Sequence, residues 1–311
     1  MIIYLRHQEI DKVRWDSCIA SSVNRRVYAF SWYLDLSSPG WDALLEDDYS
    51  CVFPLTHKCK WGISYLAQPF FSQQLGIFSA MDVSADRVSE FIRAIPARFR
   101  YAEIQLNAMN SVAPGNGEIV KRSNYELYLG AEYAQIAGSY SQNTRRNIRK
   151  AKESGVTIDL SCTAENLVHV FRENFGRKEG KLADANYCTI TSIINHGLAN
   201  KMGYILAAGS GHSKHDACAF FMTDRQRVYF LFAASTPEAR NNGAMFFLID
   251  HFIAHHAGKG LTVDFEGGND PNLGRFYGSF GASETTYPLL KLNRLSKVAN
   301  AGLYFFHKLR K

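Results

Sequence analysis

Thr262 to Ala282, "TVDFEGGNDPNLGRFYGSFGA", gathers residue types that proton transfer needs. In its opening "TVDFE", alternation turns Val263 and Phe265 to one face and Thr262, Asp264 and Glu266 to the other. Two carboxylates therefore line one side of a strand near its C-terminal end. Gly267 and Gly268 let the chain turn, Asp270 is placed to cap, and Pro271 falls at the first helical position. The short helix that follows presents Tyr277, and Gly281 stops it. A tyrosine of ordinary pKa, about 10, is protonated at neutral pH and can donate. Glu266 or Asp264, directly or through a water, can take a proton from an attacking amine. The plainer roles are a tyrosine that packs and carboxylates that cap or pair with Arg275.

A second constellation lies just upstream. A strand ending at Ser235 runs into a loop containing Pro237, Arg240 and Gly243, and a helix then opens. That order leaves main-chain N–H groups aimed at one spot with a helix dipole behind them, which suits a diphosphate. A third is the helix of "SYSQNTRRNIRKAKESGV", capped by Ser139 or Ser141 and ended by Gly155. Arg145, Arg149 and Lys152 share one face, with Arg146 and Lys150 beside it. From Arg145 to Glu153 the only acid is Glu153, so the stripe lacks the carboxylates that usually balance a solvated helix and is a candidate for binding phosphate. His251 and His255, four apart on a helix, have no third ligand near in sequence, and no metal is expected. A GxSxG elbow, a Walker loop and a dinucleotide fingerprint are all missing.

These groups need a scaffold to hold them. Up to about Gly130 the chain is rich in short strand-like runs; "YSCVFPLTHKCKWGISYLAQP" predicts a hairpin bending at "HKCKWG", and a helix follows around "SADRVSEFIRAIPARF". After Gly155 the order is a strand "VTIDL", helices from "AENLVHVFRENFG" and "TITSIINHGLAN", and three strands, "GYILAAG", "DACAFFMT" and "VYFLFAAS". A helix over Gly243 to His256, a strand, a short helix and a last strand "TTYPLLKLN" close the set.

The 311 residues, 46% hydrophobic and 13% aromatic, suffice for two globular cores. Thirty-five Lys and Arg against 29 Asp and Glu give +6, which favours anionic partners. No window is apolar for the length of a bilayer span, "MIIYLRHQEI" does not read as a secretion signal, and six scattered cysteines signal neither disulfides nor zinc. A cytoplasmic protein is expected.

The order of elements after Gly155 resembles the GNAT acyltransferase fold. Arg240-Asn241-Asn242-Gly243-Ala244 is similar to that family's pyrophosphate loop, departing from it at Met245, where the pattern has Gly or Ala. Phe276-Tyr277-Gly278-Ser279-Phe280-Gly281 is similar to its FYxxxG segment. The resemblance implies an acyl-coenzyme A, acetyl-coenzyme A among them, lying along splayed strands near Phe232, Ala233, Ala234 and Ser235. Its diphosphate would sit at Arg240, Asn241, Asn242, Gly243 and Ala244, with Tyr277 as general acid.

"NTRRNIRKAKESGV", leading into such a domain from a mixed N-terminal one, resembles the junction of the Fem-type aminoacyltransferases and the FemAB-like acetyltransferases; "VFPLTHKCKWGISYLAQPFFSQQLGIF" resembles their first domain. This implies an α+β chain of two tandem GNAT-like domains: a degenerate one over 1–135, a basic linker helix over 136–155, a second domain over 156–293 and a basic tail over 294–311. Arg145, Arg146, Arg149 and Lys150 would then meet the phosphate or carboxylate of a substrate. The acceptor would be a small-molecule or cell-envelope amine, and DNA is not implied. The long coiled-coil arm of some Fem enzymes has no counterpart between Val156 and Leu261. The tail "LNRLSKVANAGLYFFHKLRK" forms an amphipathic basic helix on paper, suited to packing on the first domain or to peripheral membrane contact. Three functions follow as expectations: transfer of an acyl group from coenzyme A to an amine by direct attack, Fem-type transfer from aminoacyl-tRNA to a cell-wall precursor, or anion binding without catalysis.

Overall fold

A computed structural model describes residues 1–174, 182–211, 215–225 and 227–295. The chain divides into two compact units, one of Met1–Arg122 with the segment from Thr286 onward, the other of Ser123–Thr285. The tail for which an amphipathic helix was drawn lies almost wholly outside the described residues.

In the first unit, β1 (Ile2–Leu5), α1 (Lys12–Ser21) and α2 (Ser31–Ser37) lead into β2 (Asp42–Glu46), β3 (Cys51–Leu55), β4 (His57–Lys60), β5 (Ile63–Ala67) and β6 (Phe78–Ser79). Helix α3 (Ala85–Ala94) and β7 (Phe99–Gln105) follow, and β8 (Glu118–Tyr128) carries the chain across to the second unit. The strands form an antiparallel sheet of order β1-β2-β3-β6, and a second group in which β4 pairs antiparallel with β5 and β5 parallel with β7. The predicted hairpin is displaced: Cys51–Leu55 pairs instead with β2 and β6, and His57–Lys60, expected in the bend, is the strand that pairs with β5, with Trp61 and Gly62 turning through positive φ (52° and 72°). Phe53, Leu55, Leu66, Phe91, Ile92, Phe99 and Ile104 pack into one core.

The second unit continues with α4 (Tyr133–Gly138), α5 (Gln142–Glu153), β9 (Thr157–Asp159), α6 (Ala164–Asn174), α7 (Asp184–Ala199), β10 (Gly203–Gly209), β11 (Ala217–Asp224) and β12 (Arg227–Ser235). Helices α8 (Pro237–Asn242) and α9 (Ala244–His256), β13 (Thr262–Gly268) and α10 (Pro271–Gly278) complete it. β14 (Ser283–Asn293) then returns the chain to the first unit, where Leu289–Asn293 pair with Gln105–Tyr101 of β7.

The sheet of the second unit has the order β8-β13-β12-β11-β10-β9, with β12 and β13 its one parallel pair. That pair is short. It runs from Arg227↔Thr262 to Tyr229↔Asp264 and goes no further, while β12 stays paired with β11 as far as Ser235. The two parallel strands therefore part after Tyr229. Leu248, Ile249, Phe252 and Ile253 of α9 pack on this sheet with Phe221, Phe230 and Val263, as the apolar stripe of that helix predicts.

Two local expectations need correction. The segment before Gly243 is not an open loop: Thr236 caps Ala239 N at 3.1 Å, Pro237 takes the first turn, and a helix runs to Asn242. Nor does β13 alternate between one polar and one apolar face. Val263, Asp264 and Phe265 are all buried, because helices and neighbouring strands cover the strand on every side, and the backbone at Glu266 swings to φ 58°, which breaks the period of two.

Candidate functional site

Three constellations separated in sequence converge within the second unit. The basic helix α5 is capped by Ser141, whose Oγ accepts from Thr144 N at 3.1 Å, and Gly155 ends it at φ 69°. Its first turn is fastened to the end of α10: Ser141 N donates to Ser279 O at 2.8 Å, and Thr144 Oγ1 bonds Ser279 O and Oγ at 2.9 and 2.7 Å. Its middle lies against the α8–α9 turn. A Cβ on Gly243 would stand 2.4 Å from Asn147 O, so only glycine admits this approach, and its φ of 81° demands one as well. The first turn of α9 in turn meets α10 through Phe246, whose ring lies 4.8 Å edge-on to Phe276 and 5.7 Å stacked on Phe280.

The cations of α5 face outward. Arg145, Arg146, Arg149 and Lys150 are exposed, while Thr144, Ile148 and Ala151 form the buried side. Arg145 reaches Gly138 O at 2.6 Å, Arg146 reaches Asn143 Oδ1 at 2.8 Å, and Arg149 stands 4.0 Å from Glu153. None of these contacts neutralises the stripe, since the one carboxylate involved is exposed and distant.

At the α8–α9 turn, Arg240 and Asn241 are exposed, and Arg240 Nη1 lies 3.4 Å from Ser235 O. Asn242 Oδ1 accepts from Ala244 N at 2.9 Å, so one N–H at the start of α9 is already used; no side chain caps that helix from Gly243. Met245 packs against the core, which takes its long stem out of the turn. An anion set here would meet Arg240 and the N–H groups left at the start of α9. These residues fit a diphosphate, and the separation of β12 from β13 beyond Tyr229 leaves Phe232, Ala233, Ala234 and Ser235 on the strand leading to it.

Tyr277 and Glu266 come together on the other side of α10. The Tyr277 ring stacks on Phe265 at 4.7 Å and meets Phe230 edge-on at 6.3 Å. It also lies against Gly267, where a Cβ would stand 3.1 Å from its Cε2 and 3.7 Å from its hydroxyl oxygen. The residue is 7% exposed. Burial raises its phenol well above the usual range, and the charges of Glu266 and Asp270 push the same way. The hydroxyl keeps its proton at every physiological pH, and among the described residues it makes no hydrogen bond. Glu266 is half-buried at the bulge where β13 leaves its register with β8.

Asp264 does not join them. It is wholly buried, with Oδ1 accepting from Asn124 Nδ2 at 2.8 Å and Glu266 N at 3.1 Å, and Oδ2 from Arg227 Nη1 at 2.9 Å. Arg227 also holds Glu126, at 2.8 Å. A wholly buried carboxylate held by three donors anchors a strand. Nothing in the local sequence announced this role, because Arg227 and Asn124 lie 37 and 140 residues away along the chain. Arg275, the other anticipated partner, bonds Asn272 Oδ1 instead, at 2.6 Å.

A mixed sheet whose two parallel strands part beside a helix start, with a buried tyrosine next to the parting, is a GNAT-like fold. Residues 138–272 match the family model described as acetyltransferase (GNAT) domain. The chain is similar in structure to FemX, with a TM-score of 0.63 and 12% identity over 94% of this chain and 98% of that one. L-PGS from Bacillus licheniformis is also similar, with a TM-score of 0.52 and 13% identity over 84% and 86%. So is a C-terminal domain, of a protein described as a lysylphosphatidylglycerol synthetase, from Agrobacterium fabrum (TM-score 0.51, 11% identity, 94% and 95%). No curated protein matches in sequence.

Proposed function

We propose that the protein is an N-acyltransferase that moves an acyl group from a coenzyme A thioester to an amine by direct attack, without an acyl-enzyme intermediate. The observation that carries this is the convergence of the α8–α9 turn, helix α5 and the Tyr277 helix on one part of the second unit. Arg240, with the N–H groups at the start of α9, would hold the diphosphate, and Phe232 to Ser235 would guide the donor. Glu266 would take the proton of the attacking amine, directly or through a water. As the amine nitrogen bonds the acyl carbon and the C–S bond breaks, the Tyr277 hydroxyl would give its proton to the departing sulfur.

A second reading has one specific support. The five exposed cations of α5, Arg145, Arg146, Arg149, Lys150 and Lys152, exceed what a single diphosphate needs, and the fold is similar to FemX along nearly the whole of both chains. In a Fem-type reaction the same carboxylate and tyrosine would serve an aminoacyl ester carried by transfer RNA, with a cell-envelope amine as acceptor.

Isothermal titration with acetyl-coenzyme A and desulfo-coenzyme A, alongside charged transfer RNA, separates these. Micromolar binding of either coenzyme supports the first reading. Binding of charged transfer RNA alone, falling steeply with salt, transfers the assignment to the second. Binding of neither sinks both.

A further inference from the structure

The first unit contains a buried cation with no counter-charge among the described residues. Arg26 is 6% exposed. Its Nη1 donates to Arg25 O at 3.0 Å and its Nη2 reaches Gln74 Oε1 only at 3.5 Å, while Nε is buried and has no partner among the described residues. Among the described residues no carboxylate pairs with it. A guanidinium carries five N–H donors in one plane, so the edge formed by Nε and Nη2 is left nearly unused. That edge matches the two oxygens of a carboxylate.

Among the described residues, the groups its guanidinium meets are polar. Gln74 is buried and accepts from Ala108 N at 3.0 Å, and its own Nε2 donates to Gln73 Oε1 at 2.8 Å. Asn24, two residues before Arg26, donates to Ile77 O at 2.7 Å and leaves Oδ1 buried and, among the described residues, unpartnered; the same holds for Ser72 Oγ, two residues before Gln74. A folded core rarely tolerates an unpaired buried charge together with orphaned polar atoms, since each loses its water without replacement. Water could satisfy the donors but would leave the positive charge uncompensated.

We propose that Arg26 anchors an anion site in the first unit that takes a monoanionic two-oxygen group: one positive charge among neutral amides balances one negative charge and no more. A carboxylate of a small ligand is the first such group and a phosphodiester the second. This site is separate from the residues assigned to acyl transfer and stands without them.

The test is thermal unfolding of the full chain in rising sodium acetate or sodium dimethyl phosphate, against sodium chloride at matched ionic strength. A saturable rise of about 2–4 °C is expected with acetate. It should persist in Arg240→Ala and vanish in Arg26→Lys, which keeps the charge but loses the fork. Saturation by dimethyl phosphate in place of acetate, equally dependent on Arg26, supports the site and identifies the phosphodiester as its group. Arg26→Met should unfold no earlier than the unliganded wild type, since an apolar side chain relieves the buried charge. Should the Arg26 variants fail to fold, crystals of the wild type soaked in bromoacetate replace them, with a bromine anomalous peak beside the guanidinium expected. No rise with either anion, a rise equal in Arg26→Lys, or no peak at Arg26 overturns the proposal.

Discussion

Gly243 packs so close to Asn147 that a single added carbon at Gly243 would stand 2.4 Å from the Asn147 carbonyl oxygen. The glycine that resembles part of a phosphate-binding pattern is thus also the point at which the basic helix docks. Gly243→Ala is expected to destabilise the protein by at least about 2 kcal/mol, from the left-handed backbone and the displaced helix together. Urea unfolding checks it, and a loss below about 0.5 kcal/mol would mean the two helices do not meet as described.

Tyr277→Phe should separate packing from chemistry. The ring stacking on Phe265 and the contact with Gly267 do not need the hydroxyl, which has no hydrogen-bond partner among the described residues. Stability should change by less than about 1 kcal/mol, while turnover falls roughly 10²- to 10⁴-fold with donor affinity unchanged. Equal turnover in the variant would remove the proton-donor role from Tyr277.

Asp264→Asn breaks a buried charge pair and leaves Arg227 with Glu126 alone. The expected loss is about 3–5 kcal/mol, since the guanidinium stays in a site built for two carboxylates. Arg149→Ala, which removes an exposed ion pair at 4.0 Å, should change stability by under about 0.5 kcal/mol. Comparing the two by chemical denaturation tests whether Asp264 is structural.

His256 predicts a pH dependence. Tyr204 donates to its Nε2 at 2.5 Å, and burial, with Lys259 and His255 acting the same way, lowers its pKa to about 4. A depressed pKa means the unfolded chain binds the proton first as pH falls. The contribution is therefore complete above about pH 6.5, the unfolded value, and is lost progressively down to about pH 4. With solvent screening of a half-buried ring, about 1–2 kcal/mol is expected. Unfolding of wild type and His256→Phe across this range should show a slope in the former that is reduced in the latter.

Much of the second unit was legible because its signals are local. Ser141 and Gly155 bound a helix, Asp270 and Pro271 start another, and "GYILAAG", "DACAFFMT" and "VYFLFAAS" mark adjacent strands. Helix α8 escaped because six residues hold too few turns to show a period, although Thr236 and Pro237 were its start signal. Asp264 escaped for another reason. Alternation assigns faces, but it cannot tell a face open to a ligand from one covered by Arg227 and Asn124, which the chain brings in from afar. Arg26 was equally silent, since an arginine in sequence looks solvated until burial is known.

The return of β14 to β7 has a consequence for how the protein is made. Because the first unit consists of two chain segments, the second is an insertion in its sequence. Ribosomal synthesis delivers β7 early and its partner some 180 residues later, so the edge formed by Tyr101 to Gln105 must wait, unpaired by β14, while the whole second unit emerges. The unit begun first is thereby the one completed last, and a chain cut before Thr286 would spare the acyltransferase-like fold while leaving its predecessor open along one strand.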